Sequence, residues 1–286
     1  MDKYEIEKIL GNGSFGNVLK GINKETGELV AIKTEKLSEI KTIQHECKIL
    51  NYLYRNHCKN IPKIYWYGIY QEWRCMVITY YDFSLEDYIK IKGSMNTTAL
   101  NNFMKKMVVI LKKLQKYYVL HRDIKPANIM TQNGDLFLID FGLATFYVDE
   151  NGEHLPNEFQ KTITGSPNYV SYNNHIGHRL CCRDDFISLG YVYLYLKYGV
   201  FEKTQTNKEL NNLIHFLKTN IGFTPLCVQN AQSGHLSSFI SAHEVGVLNE
   251  KRCKNEVIQK YFEYLYSVSY GELIDYDLIE NLWLFG

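Results

Sequence analysis

Apolar and polar residues alternate at short period from Tyr4 to Thr79, which predicts short strands around a glycine-rich turn, then one helix, then two more strands. The segments 18–20 and 29–33 flank the turn signal Glu25-Thr26-Gly27 as the arms of a hairpin would. Ile40, Ile43, Cys47, Leu50 and Tyr54 recur at helical spacing, so an amphipathic helix is expected over about residues 40–55, with Leu50 facing a core. After Asp82 the texture changes. Ser84 and Asp87 form a capping-box signal, and a long helical pattern covers about 98–118. Further helices are expected near 185–198, 207–218, 255–267 and 275–284, while 222–250 is weakly periodic and reads as irregular. There is no internal repeat. The pattern describes an α+β, bilobal chain: a small, mainly antiparallel β lobe with one main helix at about 1–81, and a larger, mainly helical lobe at about 82–286.

Composition narrows the picture. With 286 residues and 45% hydrophobic content the chain can fill a core without staples. Thirty-two basic against 31 acidic residues give a net charge of +1, so no overall field draws the protein to nucleic acid or a membrane surface. The charged start MDKYEIEKIL leaves no room for a signal peptide, and no apolar run approaches bilayer length, so an intracellular protein in cytoplasm and/or nucleus is expected. The 7 cysteines are scattered without a CxxC pair and read as reduced, buried thiols, although the adjacent Cys181 and Cys182 could be redox-sensitive.

Gly11-Asn12-Gly13-Ser14-Phe15-Gly16 fits GxGxxG and precedes Val18. Glycine there lets backbone N–H groups approach phosphate oxygens that a Cβ would obstruct. A dinucleotide site needs the glycines to lead into a helix, whereas here they lead into Val18-Leu19-Lys20, a strand-like segment that favours a flap over a nucleoside triphosphate. Val30-Ala31-Ile32-Lys33 is a buried-strand signal ending in lysine, and Glu46 on the following helix supplies the carboxylate that an amine aimed at phosphates needs. The strongest signal is His121-Arg122-Asp123-Ile124-Lys125-Pro126-Ala127-Asn128, followed by Asp140-Phe141-Gly142 beyond the hairpin-like Asn133-Gly134.

In this order the motifs resemble those of the protein kinases, and the resemblance implies a set of roles. Asp123 would accept or orient the proton of the substrate hydroxyl, Lys125 would neutralise charge near the transferred phosphoryl group, and Glu46 would orient Lys33 on the α- and β-phosphates. Asn128 and Asp140 would hold Mg²⁺. ATP would lie against Gly11, Asn12, Gly13, Ser14, Phe15, Gly16, Val18, Ala31, Lys33, Ile78, Thr79, Tyr80 and Tyr81. His121 would pack on Phe141 rather than serve as a base, and Asp185 would hold the catalytic-loop backbone, cap its helix, or both.

From Tyr4 to about Trp283 the chain is similar to the casein kinase 1 family. Ser84-Leu85-Glu86-Asp87, Ser171-Tyr172-Asn173 where most kinases carry Ala-Pro-Glu, and Arg183-Asp184-Asp185 with Ser188-Leu189-Gly190-Tyr191 carry the likeness. It implies a kinase active without a loop phosphate, monomeric, and acting on protein substrates; with the chain ending soon after its last expected helix, a short member without the long tail of many relatives is expected. Lys125 and the Ser166 hydroxyl imply the serine/threonine type. The vaccinia-related kinases, which typically have glycine in place of Arg122, are the second branch. A pseudokinase scaffold would show damage at Lys33, Glu46, Asp123, Asn128 or Asp140, and all five are intact. A small-molecule phosphotransferase would lack the peptide-docking arrangement that ends in Ser171-Tyr172-Asn173.

The family's taste for acidic or phosphorylated substrates implies a basic pocket, and here this chain departs from the pattern. The key arginine is Asn168, Lys161 keeps the place of another cation, and the basic run after Phe201 is reduced to Lys203 and Lys208. Lys161, Ser166, Asn168, Arg179 and Arg183 are the candidate substrate-pocket residues, in a segment that also carries the titratable His175 and His178 and no acid from 160 to 183. Two arrangements stay open: a substituted pocket, or Arg183 paired with an acid and Arg179 facing water.

Overall fold

The alternating segments form β1 (Tyr4–Gly13), β2 (Gly16–Asn23), β3 (Leu29–Lys36), β4 (Ile64–Tyr70) and β5 (Trp73–Thr79), and the helical repeat between β3 and β4 forms α1 (Thr42–Arg55). The strands make one antiparallel sheet in the order β1-β2-β3-β5-β4. Its register sorts β3 by parity. Val30 and Ile32 join Tyr4 and Val77 in a buried cluster, with Leu19 and Trp66 against it. The alternate residues Ala31, Lys33 and Glu35 therefore lie on the opposite face, with Val18 and Ile78 as cross-strand partners of Lys33 and Ala31. Gly27, at φ 74°, closes the β2–β3 hairpin where the turn signal stands.

The computed structural model of the chain describes residues 1–13, 16–38, 41–198 and 256–284. These fall into two compact units. The first is Met1–Asp87, Lys113–His121 and Pro126–Phe146; the second is Tyr88–Lys112, Arg122–Lys125 and the residues from Tyr147 on. In the first unit α1 buries Ile43, Glu46, Cys47, Ile49, Leu50 and Leu53. Tyr54, counted in the helical repeat, is instead 54% exposed. A carboxylate, Glu46, occupies the inward face, and an aromatic that fits the repeat lies off it. The Ser84–Asp87 box forms as expected, each backbone N–H donating at 3.1 Å to the other side chain, and starts α2 (Leu85–Lys92) after the short β6 (Phe83–Ser84). Strands β7 (Val119–Leu120), β8 (Ile129–Gln132), β9 (Asp135–Leu138) and β10 (Thr145–Phe146) complete this unit.

The second unit is mainly helical. It holds most of α3 (Thr97–Lys116), then α4 (Tyr172–His175), α5 (Cys182–Tyr198), α6 (Glu256–Ser267) and α7 (Tyr276–Leu284). Helix α5 is the centre, buried from Asp184 to Gly190 and again from Val192 to Leu196. The Tyr261 hydroxyl of α6 donates to the Phe186 carbonyl at 2.8 Å, and Trp283 of α7 packs on Tyr193 and Tyr261 at 5.1 and 5.5 Å. Helix α5 begins three residues before the expected 185, because the Asp184 carboxylate reaches back to the Cys181 N–H at 2.8 Å and completes a cap there. The α+β, bilobal class read from the sequence is present, although residues 113–121 and 126–146 group with the first unit. The expected helix at 207–218, the irregular stretch 222–250, Lys203 and Lys208 lie outside the described residues. No helix among the described residues is long and apolar enough to cross a membrane.

Cys47, Cys58, Cys75, Cys181 and Cys182 are buried free thiols, while Cys227 and Cys253 lie outside the described residues. Burial pushes the Cys58 thiol up to about 11 and Cys182 up to about 12, and raises Cys47, Cys75 and Cys181 as well. A raised pKa keeps the thiol protonated, so at about pH 8 the thiolate fraction of Cys58 is on the order of one in a thousand. In a C227S/C253S variant, Ellman's reagent should therefore titrate less than one thiol per folded chain and all five in guanidinium. Rapid titration of a full equivalent in the folded protein would contradict this.

Candidate active site

The glycine-rich segment closes the β1–β2 hairpin, with Gly11 opposite Val18, Asn12 opposite Asn17 and Gly13 opposite Gly16. The glycines thus join two strands, which is the context that separates a phosphate flap from a dinucleotide fold. Gly16 has φ 123°, and a Cβ there would stand 2.0 Å from the Thr34 carbonyl oxygen, so only glycine fits. Ser14 and Phe15 lie outside the described residues. Of the other expected nucleotide contacts, Ala31, Ile78 and Tyr81 are buried and Val18, Thr79 and Tyr80 are half-buried.

Beside this hairpin, in the same unit, Lys33 is the hub of an ionic cluster. Its Nζ donates to both Glu46 oxygens, at 2.7 and 2.9 Å, and to Asp140 Oδ1 at 2.8 Å, which takes all three ammonium protons. Burial opposes the charge, but Glu46 and Asp140 outweigh it and hold the Lys33 pKa above the ordinary lysine value. Burial likewise pushes Glu46 upward against the pull of Lys33. The pair is ionic, since every Lys33 proton meets a carboxylate oxygen. Glu46 Oε1 also accepts the Phe141 N–H at 3.1 Å, so one carboxylate ties α1 to both β3 and the Asp140-Phe141-Gly142 turn. His121 is fully buried, packs edge-on to Phe141 at 4.8 Å and pairs its Nε2 with the Ile139 carbonyl at 3.0 Å, the steric role expected of it. Asp140, at φ 67°, is in the left-handed region that non-glycine residues seldom occupy, with its side chain 37% exposed. Asn128 is buried at the end of a 3-10 turn, and its carbonyl accepts the Ile139 N–H at 2.9 Å.

The second unit carries the other half of the motif residues. Asp123 Oδ1 accepts the Ser166 N–H at 2.9 Å, Lys125 Nζ lies 2.8 Å from Asp123 Oδ2, and the same ammonium donates to Ser166 Oγ at 2.9 Å. Lysine, carboxylate and hydroxyl close a ring. The Arg122 N–H donates to Asp185 Oδ1 at 2.8 Å, so Asp185 holds this loop from the first turn of α5. Gly165, at φ 95°, lies so close that a Cβ would stand 2.3 Å from the Arg122 carbonyl oxygen. The segment carrying Ser166 is thereby packed backbone to backbone on the loop carrying Asp123.

Residues 4–262 match the family model of the protein kinase domain. The chain belongs to the protein kinase family. Casein kinase I homolog 2 of Schizosaccharomyces pombe is 28% identical to this kinase domain over 295 residues, an alignment that covers 98% of the chain. The chain spans 61% of that relative's length.

The candidate substrate-pocket residues of the kinase domain are less alike than their sequence suggested. Lys161 and Asn168 are exposed. Arg179 pairs with Glu158, just upstream of the acid-free stretch. The Arg183 guanidinium donates to the Val268 carbonyl and, with the Asn173 amide oxygen turned towards it, to Asn173 at 3.2 Å. Burial lowers the His175 pKa below the ordinary histidine value, so its ring is neutral near pH 7 and adds no charge. His178 Nδ1 meets the Asn157 amide at 2.8 Å.

Several contacts of the site escaped the motif reading. His45 pairs its Nε2 with the Ala144 carbonyl at 2.6 Å, a second tie from α1 to the segment after Gly142. Asn174, buried, grips Thr164 from both sides, accepting its N–H at 3.2 Å and donating to its carbonyl at 2.6 Å. Asp184 accepts from the Ser171 hydroxyl as well as from Cys181. His45 and Asn174 give no sequence signal beyond lying next to Glu46 and Asn173, and Asp184 gives only its place in Arg183-Asp184-Asp185.

Proposed function

We propose that this kinase domain is a serine/threonine protein kinase of the casein kinase 1 type, transferring the γ-phosphoryl group of ATP to protein hydroxyls with Mg²⁺. The observation that carries the reading is the ring of Asp123, Lys125 and Ser166, a buried carboxylate fixed by a lysine and by the segment expected to receive a peptide. The 28% identity to a casein kinase I homolog supports the branch. Asp123 would orient the substrate hydroxyl and take up its proton, while Lys125 would offset charge at the oxygen that gains the phosphoryl group. Lys33, held charged by Glu46, would position the α- and β-phosphates. Among the described residues no group of three or more His, Cys, Asp or Glu is placed to hold a metal by itself. The oxygen donors of Asn128 and Asp140 instead fit Mg²⁺, which commonly takes one or two carboxylates and completes its shell with phosphate oxygens. When bound, Mg²⁺ neutralises phosphate charge.

The test is transfer from ATP to a library of serine, threonine and tyrosine peptides, with and without pre-phosphorylated positions. Serine and threonine acceptors are expected, and no transfer to any peptide would favour the scaffold reading. Asn168 supplies no cation, and Arg179 and Arg183 are engaged within the protein, so preference for a phosphorylated peptide should stay below about tenfold. Asn168→Arg should raise that preference by roughly tenfold, mainly through KM, as expected for a charge-assisted contact. A hundredfold preference in the wild type would show that other cations form the pocket.

A further inference from the structure

Helix α1 carries Glu46, yet its own sequence does little to fix its start. Its N-cap is Lys41, which makes no side-chain cap hydrogen bond, and there is no acid in the first turn. The missing acceptor comes from the sheet. Glu35 of β3, 1% exposed, accepts the Ile43 N–H on Oε2 at 3.0 Å, and its Oε1 is held by Arg74, 7% exposed, directly opposite on β5. Tyr67 of β4 lies close to Arg74 as well. Glu35 and Lys33 lie on the same face of β3, so the strand grips α1 twice: Glu35 at Ile43 and Lys33 at Glu46, one helical turn apart. On its other side the helix meets the turn after Asp140 through Glu46 with the Phe141 N–H, His45 with the Ala144 carbonyl, and Thr42 against Gly142.

We infer that Glu35 and Arg74 are positioning residues: a buried ion pair that caps α1 from the sheet and so holds Glu46 on Lys33 without an activating event. The inference rests on the kinase reading for its effect on transfer but not for its structural content. A carboxylate at a helix start satisfies an orphan N–H and favours the positive end of the helix dipole, and Arg74 keeps that carboxylate ionised and aimed.

Two readouts test it in the full-length chain. E35M/R74M removes both charges, leaves no buried unpaired charge and should fold, while the Ile43 N–H loses its acceptor. In it, amide hydrogen exchange in the first turn of α1 should quicken by roughly tenfold while β5 exchanges as in the wild type. E35Q/R74M, which restores an uncharged acceptor for the Ile43 N–H, should recover most of the protection, with a residual increase of about threefold. Phosphate transfer should fall by roughly tenfold in E35M/R74M but by less than about twofold when Glu46 is already Gln, because the two changes act on one link. Unchanged α1 exchange in E35M/R74M, or a full tenfold loss in the E46Q background, would overturn the inference. Should E35M/R74M not fold, E35Q/R74M against wild type decides, since unchanged α1 exchange there overturns it too. If the wild type transfers no phosphate, the kinase activity fails as a reading, and the exchange comparison still settles how α1 is held.

Discussion

Asp140→Asn lowers phosphate transfer by about a thousandfold and moves the melting temperature by only a few degrees. The substitution keeps an oxygen for Lys33 and suits the left-handed backbone at φ 67°, since asparagine tolerates that region better than most residues. It removes a negative charge from the pair expected to hold Mg²⁺. Loss of one preorganised electrostatic contact typically costs a hundred- to a thousandfold, and weaker metal binding compounds it. The check is transfer at saturating ATP and Mg²⁺ beside a thermal melt of the same preparation. Transfer close to wild type would remove Asp140 from the metal assignment, and a collapsed melting temperature would make its role structural.

The largest expected stability effect lies at Arg74. Arg74→Met leaves Glu35, 1% exposed, with only the Ile43 N–H as a described partner, and an uncompensated buried charge costs about 3–5 kcal/mol. For a chain of this size that is a fall in melting temperature of roughly 10 °C. Adding Glu35→Met should restore most of it, since an apolar pair of similar volume replaces the ion pair and leaves no buried charge unpaired. Denaturant unfolding of wild type, single and double variants gives the cycle. A single variant as stable as wild type would show that water or another group reaches Glu35.

The same pair shows where sequence reading stops. The hairpin, the place of α1 and the Ser84 box were legible because each is local: glycine before a strand, apolar residues at helical spacing, a cap three residues from its partner. Lys33, Glu46, Asp123 and Asp140 were legible as motifs. Glu35 was not, because a charged residue at an alternate strand position ordinarily faces water, and its partner lies 39 residues on. The Arg179–Glu158 pair and the Arg183–Val268 contact were hidden for the same reason, with partners 21 and 85 residues away. The fate of His175 depended on burial, which no spacing rule reports.

The Lys33 cluster can also be counted as charge. One ammonium between two carboxylates sums to −1, and burial of Lys33 and Glu46 weakens screening of that part of the cluster. A bare polyanion is repelled there, and a lone cation must compete with Lys33 for Asp140. An anion that brings its own counter-cation meets neither obstacle. Nucleotide and divalent ion should therefore raise each other's affinity by the same factor, as linkage requires, and each should bind weakly when titrated alone.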